Sequence, residues 1–126
     1  MKKELKDLLV KDTCSRLAYK TKYQVEGEDK SDTFIIGGYI RFEDDYFFNF
    51  IISEGKVLDF KSVCDIKPYL LPISSMPEEH RKEYISTFES GISSCRTFDW
   101  LNEHHYDYRH LIDESLAIDA TNLNIY

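Results

Sequence analysis

Residues 19–63 have the pattern of successive β-strands, and this pattern constrains the fold more than any other feature of the chain. Four runs rich in β-branched and aromatic residues follow one another, at 19–25, 33–42, 46–52 and 57–63. Polar segments separate the runs, and tight turns are predicted at 43–45 and 53–56. Short strands joined in this way favour an antiparallel meander, in which each strand pairs with the next one in sequence.

Two of these strands carry features that predict their place in the sheet. Regular alternation in the second strand puts the following apolar side chains on one face: Phe34, Ile36, Ile40 and Phe42. The pair Gly37 and Gly38 interrupts that strand, and glycines inside a strand mark a bulge, a bend or a close approach of backbone. The third strand, YFFNFII, is apolar on both faces except at Asn49, so we expect it to lie centrally or to close a barrel.

Helical spacing precedes the meander and returns after it. Leu5, Leu8 and Leu9 recur at the spacing of one helical face, so an amphipathic N-terminal helix is predicted. Pro68 and Pro72 then exclude a regular helix in the stretch that follows the meander, and they also disfavour a central strand there.

Two to three short helices are predicted after the prolines. The first begins near the capping box formed by Ser75 and Glu78 and ends near Gly91. Its predicted inner stripe consists of Tyr84, Ile85, Phe88 and Ile92. The second is FDWLNEH, with Thr97 as N-cap. The third is DYRHLIDESLAID, which begins at Asp107 and places the following residues on one face: Tyr108, Leu111, Ile112 and Leu116.

These elements predict a single α+β domain over residues 1–126. Residues 1–64 form the N-terminal helix and an antiparallel meander of four to five strands, and residues 65–126 form a proline-containing connection and the C-terminal helices. A partly closed barrel of SH3-like type is one form that such a bent meander takes.

The composition of the 126 residues supports a packed domain and limits its partners. Hydrophobic residues make up 42%, with eight Phe and nine Tyr, which is typical of a globular chain with a core. The formal net charge of −7 disfavours general nucleic-acid binding, because that binding depends on Lys and Arg side chains that neutralise phosphates. An acidic surface instead suits a basic partner protein.

The sequence predicts neither a signal peptide nor a membrane span. The segment MKKELKDLLVKD lacks a continuous apolar core, and no window of about 18 apolar residues occurs. Cys14, Cys64 and Cys95 are odd in number, widely spaced and outside any CxxC motif, so neither a disulfide framework nor a zinc finger is expected. We therefore expect a cytoplasmic protein with reduced cysteines.

Chemistry-bearing side chains concentrate in NEHHYDYRH (102–110), which holds three of the four histidines. Asp107 and His110 have the three-residue spacing of two metal ligands on one helical face, and His104 or His105 can add a third. The alternative is a junction between two helices, with Asp107 as N-cap and the adjacent histidines at the C-terminus of the preceding helix, where a partly charged imidazole interacts favourably with the helix dipole. We favour the junction and predict no catalytic residue, metal or cofactor.

Other signatures of catalysis or nucleic-acid binding are absent from the sequence or weak. It contains no GxSxG, GxxxxGK[ST] or GxGxxG motif. The aromatic strand can serve as a base-stacking platform, but its neighbouring turns are acidic, and we expect its rings to form core. Lys20, Lys22 and Lys30 form the only local basic group.

Three stretches carry a resemblance to a known family. They are LLVKDTCSRLAY (8–19), DIKPYLLPISSMPEE (65–79) and FDWLNEHHYDYRHLIDESLAIDA (98–120). They resemble a group of small uncharacterised proteins of phages, prophages and mobile elements in gut Bacteroides and relatives. The departures from the family pattern are Thr13, Ala18, Leu71 in place of Arg, and Ser115 in place of Gly. The resemblance implies a role as accessory phage cargo, with no particular activity and no catalytic residues.

The leading hypothesis is a phage-type accessory protein that is not an enzyme and binds a host or phage protein, as in host takeover or anti-defence. The residues expected on its binding surface are Glu43, Asp44, Asp45, His105 and Arg109. One alternative is a small metal-assisted hydrolase that uses His104, His105, Asp107 and His110. A second is a nucleic-acid-binding barrel. The sequence also allows a homodimer, because an aromatic-rich sheet can form a dimer interface.

Overall fold

The structure is a computed structural model that describes residues 1–43, 45–51, 57–89 and 94–126. Within these ranges the helices are α1 (Lys3–Ser15), α2 (Glu78–Glu89) and α3 (Ser94–Glu103). The strands are β1 (Lys22–Val25), β2 (Phe34–Phe42), β3 (Asp45–Ile51), β4 (Val57–Ser62), β5 (Ile66–Pro72), β6 (Tyr106–Asp107) and β7 (Ile118–Asp119). The predicted α+β class, with its N-terminal helix, sheet and C-terminal helices, is confirmed.

The described strands form one open sheet in the order β4-β3-β2-β1-β5-β6, and β7 also pairs with β5. The first four strands are the predicted antiparallel meander. β5 returns to pair antiparallel with β1, and the two-residue strands β6 and β7 run parallel to β5. Since β4 and β6 end the order and do not pair with each other, the described sheet does not close into a barrel.

The first strand is shorter than its alternating pattern predicts. Leu17–Tyr19 forms a 3-10 turn, and Lys20 has a positive φ of 54° before β1 begins. Tyr23 and Val25 are nevertheless buried on one face, as the alternation predicts.

β2 contains a bulge at its glycine pair. The register with β3 shifts after Ile36, so Gly37 is an extra residue with no partner on β3. A Cβ atom on Gly37 would lie 2.9 Å from Ile51 Cδ1, so a larger residue there would require the Ile51 side chain to shift. The extra residue reverses the alternation, so Ile36 packs on the core whereas Ile40 and Phe42 point outward and are 47% and 65% exposed. The prediction of one shared face is wrong for these two residues, because an inserted residue exchanges the faces beyond it.

β5 is an internal strand although it contains Pro68 and ends at Pro72, so the prediction that the prolines disfavour a central strand is wrong. The N–H of Glu26 donates to the carbonyl of Asp65 at 2.8 Å. Every second residue counted from Asp65 therefore directs its N–H and C=O groups toward β1, and the residues between them direct theirs away from β1. Pro68 belongs to the other set. Its missing N–H therefore removes no hydrogen bond to β1.

The helix predicted to begin at Asp107 is absent, and turns with two short strands take its place. His110 and Ser115 each have φ of 59°, which a right-handed helix cannot contain. The carboxylate of Asp107 accepts the backbone N–H groups of Leu111 and Ile112 at 2.9 Å each, four and five residues ahead. Asp107 thus satisfies backbone donors as an N-cap does, but it stabilises a turn.

α2 and α3 form, but their beginnings differ from the prediction. The Ser75 hydroxyl donates to the carbonyl of Pro72 at 2.7 Å, so it is not the N-cap of α2, which begins at Glu78. α3 begins three residues before Thr97. The predicted turn at 53–56, Ile92 and Gly91 lie outside the described residues.

The inner face of α2 is more polar than predicted. Thr87 is buried, and its hydroxyl lies 3.0 Å from that of Thr97 on α3. Ile85 and Phe88 are exposed and Tyr84 is half-buried, so the predicted apolar stripe is wrong for two of its members.

Two hydrophobic cores hold these elements together. The main core lies between α1, the inner face of the sheet and the C-terminal segment, and its members include Leu9, Tyr23, Val25, Phe34, Phe48, Phe50, Ile66, Leu70, Leu111 and Leu116. A smaller core consists of Met76, which precedes α2, Leu101 of α3 and Tyr106 of β6, and Tyr84 of α2 packs against it. Among the described residues, no helix has the length and hydrophobicity needed to span a membrane.

Candidate functional site

The histidine-rich segment 102–110 connects α3 to β6. The N–H of His104 donates to the carbonyl of Trp100 and that of His105 to the carbonyl of Asn102, both at 3.1 Å. His105 then takes a φ of 62°, which turns the chain into the strand. The segment is therefore a junction between a helix and a strand, not between two helices.

His104 belongs to an aromatic cluster formed by His80, Tyr84, Trp100, His104 and Tyr106. The His104 ring centroid lies 4.3 Å from that of Trp100 and 4.6 Å from that of His80. His80 Nδ1 lies 2.8 Å from the hydroxyl of Tyr106, which binds the imidazole to the small core. Burial, and then the neighbouring His80, lower the pKa of His104, which disfavours its charged form.

His105 stacks on Tyr126, with ring centroids 3.7 Å apart and planes 12° apart. Its Nδ1 lies 3.3 Å from Thr21 Oγ1. Burial first, and then the positive charge of Arg16, lower the pKa of His105 to about 4. The lowered pKa values disfavour the charged form of both adjacent histidines, in contrast to the partly charged imidazole predicted at the helix C-terminus.

Tyr126 was not identified from the sequence, although it fixes the position of His105. Its hydroxyl accepts the N–H of Lys22 at 2.8 Å and donates to the carbonyl of Tyr69 at 2.7 Å. The side chain thus bridges the backbones of β1 and β5. The tail around it has no periodicity, so no local pattern indicates this role.

The four candidate metal ligands point into different environments. His104 packs in the aromatic cluster, His105 stacks on Tyr126, and the carboxylate of Asp107 accepts two amides. His110 is exposed, with Nδ1 3.6 Å from Asp113 Oδ2. In the part of the chain that the structure describes, no group of three His, Cys, Asp or Glu side chains could hold a metal ion.

A buried ionic network lies behind this segment. Asp12 and Arg16, one turn apart on α1, are fully buried and form a 2.9 Å ion pair. Arg109 donates to the second oxygen of Asp12 at 2.9 Å, and Arg16 donates to the carbonyl of Tyr106 at 2.8 Å. Both guanidinium groups also lie over the ring of Tyr108, at 5.0 and 4.6 Å. The network ties α1 to the C-terminal segment.

Arg109 was predicted on the binding surface, but its guanidinium is engaged inside this network. The sequence did contain one signal, since Asp12 and Arg16 have the four-residue spacing of a helical ion pair. They also lie beside Leu9 on the face that packs on the core. The same spacing also occurs in ordinary surface ion pairs, however, and the sequence alone does not show which face of α1 packs on the core.

The acidic turn that was predicted to bind a partner is only partly described. Glu43 is exposed and has a φ of 56°, and Asp45 forms an ion pair with Lys6 of α1. Asp44 lies outside the described residues. The charge of Asp45 is therefore matched within the chain.

Negative charge concentrates instead in the C-terminal half. Residues 65–126 contain eleven acidic and five basic side chains, which gives −6 of the formal net charge of −7. An open groove of about 340 Å³ between α2 and α3 collects part of this charge. Three exposed carboxylates line it, those of Glu83, Asp99 and Glu103, together with Arg96 and Trp100. We call this surface the acidic groove.

Hydrogen bonds fix two of the groove carboxylates. The indole N–H of Trp100 donates to Glu83 Oε2 at 3.2 Å. The hydroxyl of Tyr19 donates to Asp99 Oδ1 at 2.8 Å, and this bond raises the pKa of Tyr19. One donor occupies only one of the two oxygens of a carboxylate, so the other oxygen can accept a further bond.

A second surface lies on the solvent side of β2, β3 and β4, and we call it the outer face. Its apolar side chains are Ile40, Phe42, Phe47, Ile51, Val57 and Phe60, and the register confirms their common side by pairing Ile40 with Phe47 and Ile51 with Val57. Five of them are at least 44% exposed. Phe48, Phe50 and Leu58 fill the opposite face and are buried.

Comparison with known proteins adds no relative: the chain matches no protein-family model, no curated protein and no solved structure.

Proposed function

We propose that the protein is a phage-type accessory protein that acts by binding a basic host or phage protein through the acidic groove, in the host cytoplasm. The observation that carries the proposal is the convergence of Glu83, Asp99 and Glu103 around one open groove. The resemblance of residues 65–79 and 98–120 to proteins of phages and mobile elements supports the accessory role, in host takeover or anti-defence.

The groove offers a basic side chain a concentration of negative charge. A Lys or Arg of the partner would lie among three carboxylates that exceed the single positive charge of Arg96. Trp100 also lines the groove, and its indole N–H donates to Glu83. Because the carboxylates are exposed, each ion pair would contribute only about 0.2–1 kcal/mol and would weaken with salt.

The remainder of the C-terminal half strengthens this preference. With most of the net charge in residues 65–126, the electrostatic potential steers a basic partner toward that side of the molecule. A protein whose own groove binds nucleic acid presents the required cluster of Lys and Arg. An inhibitor of such a protein would place its carboxylates where phosphates otherwise bind.

The experiment is a capture with tagged protein from a Bacteroides lysate at low and high salt, with two charge variants beside the wild type. The first variant neutralises the groove: Glu83→Gln, Asp99→Asn and Glu103→Gln. The matched control removes the same charge from exposed positions in the N-terminal half: Glu4→Gln, Glu26→Gln and Asp32→Asn.

A basic partner that the wild type and the control retain, and that the groove variant binds roughly tenfold to hundredfold more weakly, supports the proposal. Its binding should also fall steeply with salt. Equal loss in both variants would mean that overall charge, and not the groove, governs capture. Salt-independent binding would contradict the electrostatic basis.

A further inference from the structure

The outer face is an apolar surface that the described chain leaves uncovered. Phe42 and Val57 are 65% and 60% exposed, and Phe60 is 44% exposed. Rings and branched side chains of this kind normally lie inside, and the same three strands bury Phe48 and Phe50 on their other side. The largest contiguous apolar patch on a protein surface is often functional.

We propose that the outer face binds the outer face of a second copy of this chain, so that the protein is a two-fold symmetric dimer. Two sheets then pack face to face, as in a β-sandwich, with their side chains interdigitated at a sheet separation of about 10 Å. The proposal concerns a different surface from the acidic groove and does not depend on it.

The area of the outer face matches what a dimer needs. With side-chain areas on the order of 150–250 Å² for large residues, its exposed fractions add to roughly 500 Å² of apolar surface. A standard interface buries about 800 Å² on each partner, and about 65% of a homodimer interface is apolar, which also gives roughly 500 Å². The remaining area would come from the polar rim.

Charge does not oppose the approach of a second copy. The six apolar side chains of the outer face carry no charge, and residues 1–64 contribute only −1 of the formal net charge of −7. A symmetric interface places identical patches against each other, and uncharged patches do not repel. Since most of the net charge of −7 belongs to residues 65–126, the outer face is where two copies approach with least repulsion.

The experiment measures the mass of the purified protein by light scattering and sedimentation, from about 1 to about 100 μM, a range that covers typical weak and moderate dimers. We expect two chains of 14.9 kDa per particle at the upper concentrations. The double variant Phe42→Lys/Phe60→Lys should dissociate at least about 30-fold more readily, because it buries unpaired charge at the interface. The conservative variant Phe42→Leu/Phe60→Leu should stay dimeric.

The matched control places the same charge on exposed apolar residues elsewhere, as Ile85→Lys/Leu123→Lys. It should remain a dimer. Circular dichroism checks that each variant folds. If Phe42→Lys/Phe60→Lys does not fold, the single variant Val57→Lys is tested in its place. A monomer throughout the concentration range would overturn the proposal. So would a dimer that the lysine variants leave intact, or one that the control disrupts equally.

Discussion

The junction between α1 and the C-terminal segment is polar inside, whereas the sheet is apolar outside. At the junction, Asp12 and Arg16 are completely buried, and at the outer face Phe42 is 65% exposed. The two regions invert the usual distribution of side chains. The regions differ in how their unusual side chains are matched. At the junction, Arg109 and the carbonyl of Tyr106 match most of the buried charge, although Arg16 Nη1 has no partner, whereas no described residue covers the outer face.

Buried charges are an expensive way to hold two segments together, because both ions lose their hydration. They do, however, permit few alternative arrangements, since each donor needs an acceptor in a fixed direction. The network therefore fixes how the irregular segment after β6 sits on α1. An apolar surface has no such directionality and suits contact with another molecule.

The largest effect is expected from removing the carboxylate at the centre of the junction. Asp12→Ala leaves the buried guanidinium of Arg16 without its ion pair, which should lower the free energy of unfolding by about 3–5 kcal/mol. Urea denaturation followed by the fluorescence of Trp100 measures it. The control Asp7→Ala, at an exposed position of the same helix, should change the stability by less than about 0.5 kcal/mol. A loss below about 1 kcal/mol for Asp12→Ala would show that the network does not hold the junction.

A smaller effect should appear in the pH dependence of stability. The pKa of His105 is about 4 in the folded chain, against an ordinary value of 6.5. Between these values the unfolded chain binds more protons, so the free energy of unfolding should fall as the pH drops below 6.5 and level off near 4. After allowance for partial exposure, the loss should be on the order of 2 kcal/mol.

The histidine variant that isolates this effect is His105→Asn, since Asn tolerates the φ of 62°. Denaturation curves from pH 7.5 to 4.5 should be flatter for this variant than for the wild type. His110→Asn is the matched control, because His110 is exposed and has a φ of 59°. An unchanged slope in His105→Asn would mean that another group carries the pH dependence.

A gain of about 1 kcal/mol is expected from Ser115→Gly. Ser115 has φ of 59°, where any Cβ atom is strained, and its N–H bond to the carbonyl of Ile112 survives the change. Thermal or urea denaturation measures the gain. Ser74→Gly, at an exposed position without positive φ, should instead destabilise the chain. Equal effects of the two variants would contradict the claim that the backbone at Ser115 is strained.

The smallest effect on folding should come from the outer face. Phe60→Ala should change the free energy of unfolding by no more than about 0.5 kcal/mol when measured in dilute solution, because the ring is exposed. Phe48→Ala, on the opposite side of the same sheet, should cost about 3–5 kcal/mol. If Phe60→Ala were as destabilising as Phe48→Ala, the outer face would be part of the monomer core.

The sequence predicts the meander because its information is local. Each strand is a run of β-branched and aromatic residues, polar segments separate the runs, and neighbouring strands pair in order, so the pattern determines the topology. The N-terminal helix follows for the same reason. The positions of β1 to β4 and the helix agree with the structure to within a few residues.

The segments that pair at long range could not be predicted in this way. β5 accommodates Pro68 because the backbone nitrogen at this position points away from β1, where no hydrogen bond is lost. That orientation depends on the register between β1 and β5, which the sequence of β5 alone does not determine. Residues after Asp107 have helical spacing but no helix, since amide donors bind the carboxylate and two φ angles are positive. The candidate site could not be predicted for the same reason, because the acidic groove brings together Glu83 and Asp99 from two different helices.

The bulge at Gly37 has a consequence for how this chain tolerates change in length. Between Ile35 and Phe42, Gly37 is the position of β2 without a counterpart on β3, so its deletion would leave the pairing on both sides in place and straighten the strand. Removal of Ile40 instead would exchange the two faces for every residue after it. Relatives that differ by one residue in this strand should therefore carry the gap at the glycine pair and display the same hydrophobic surface.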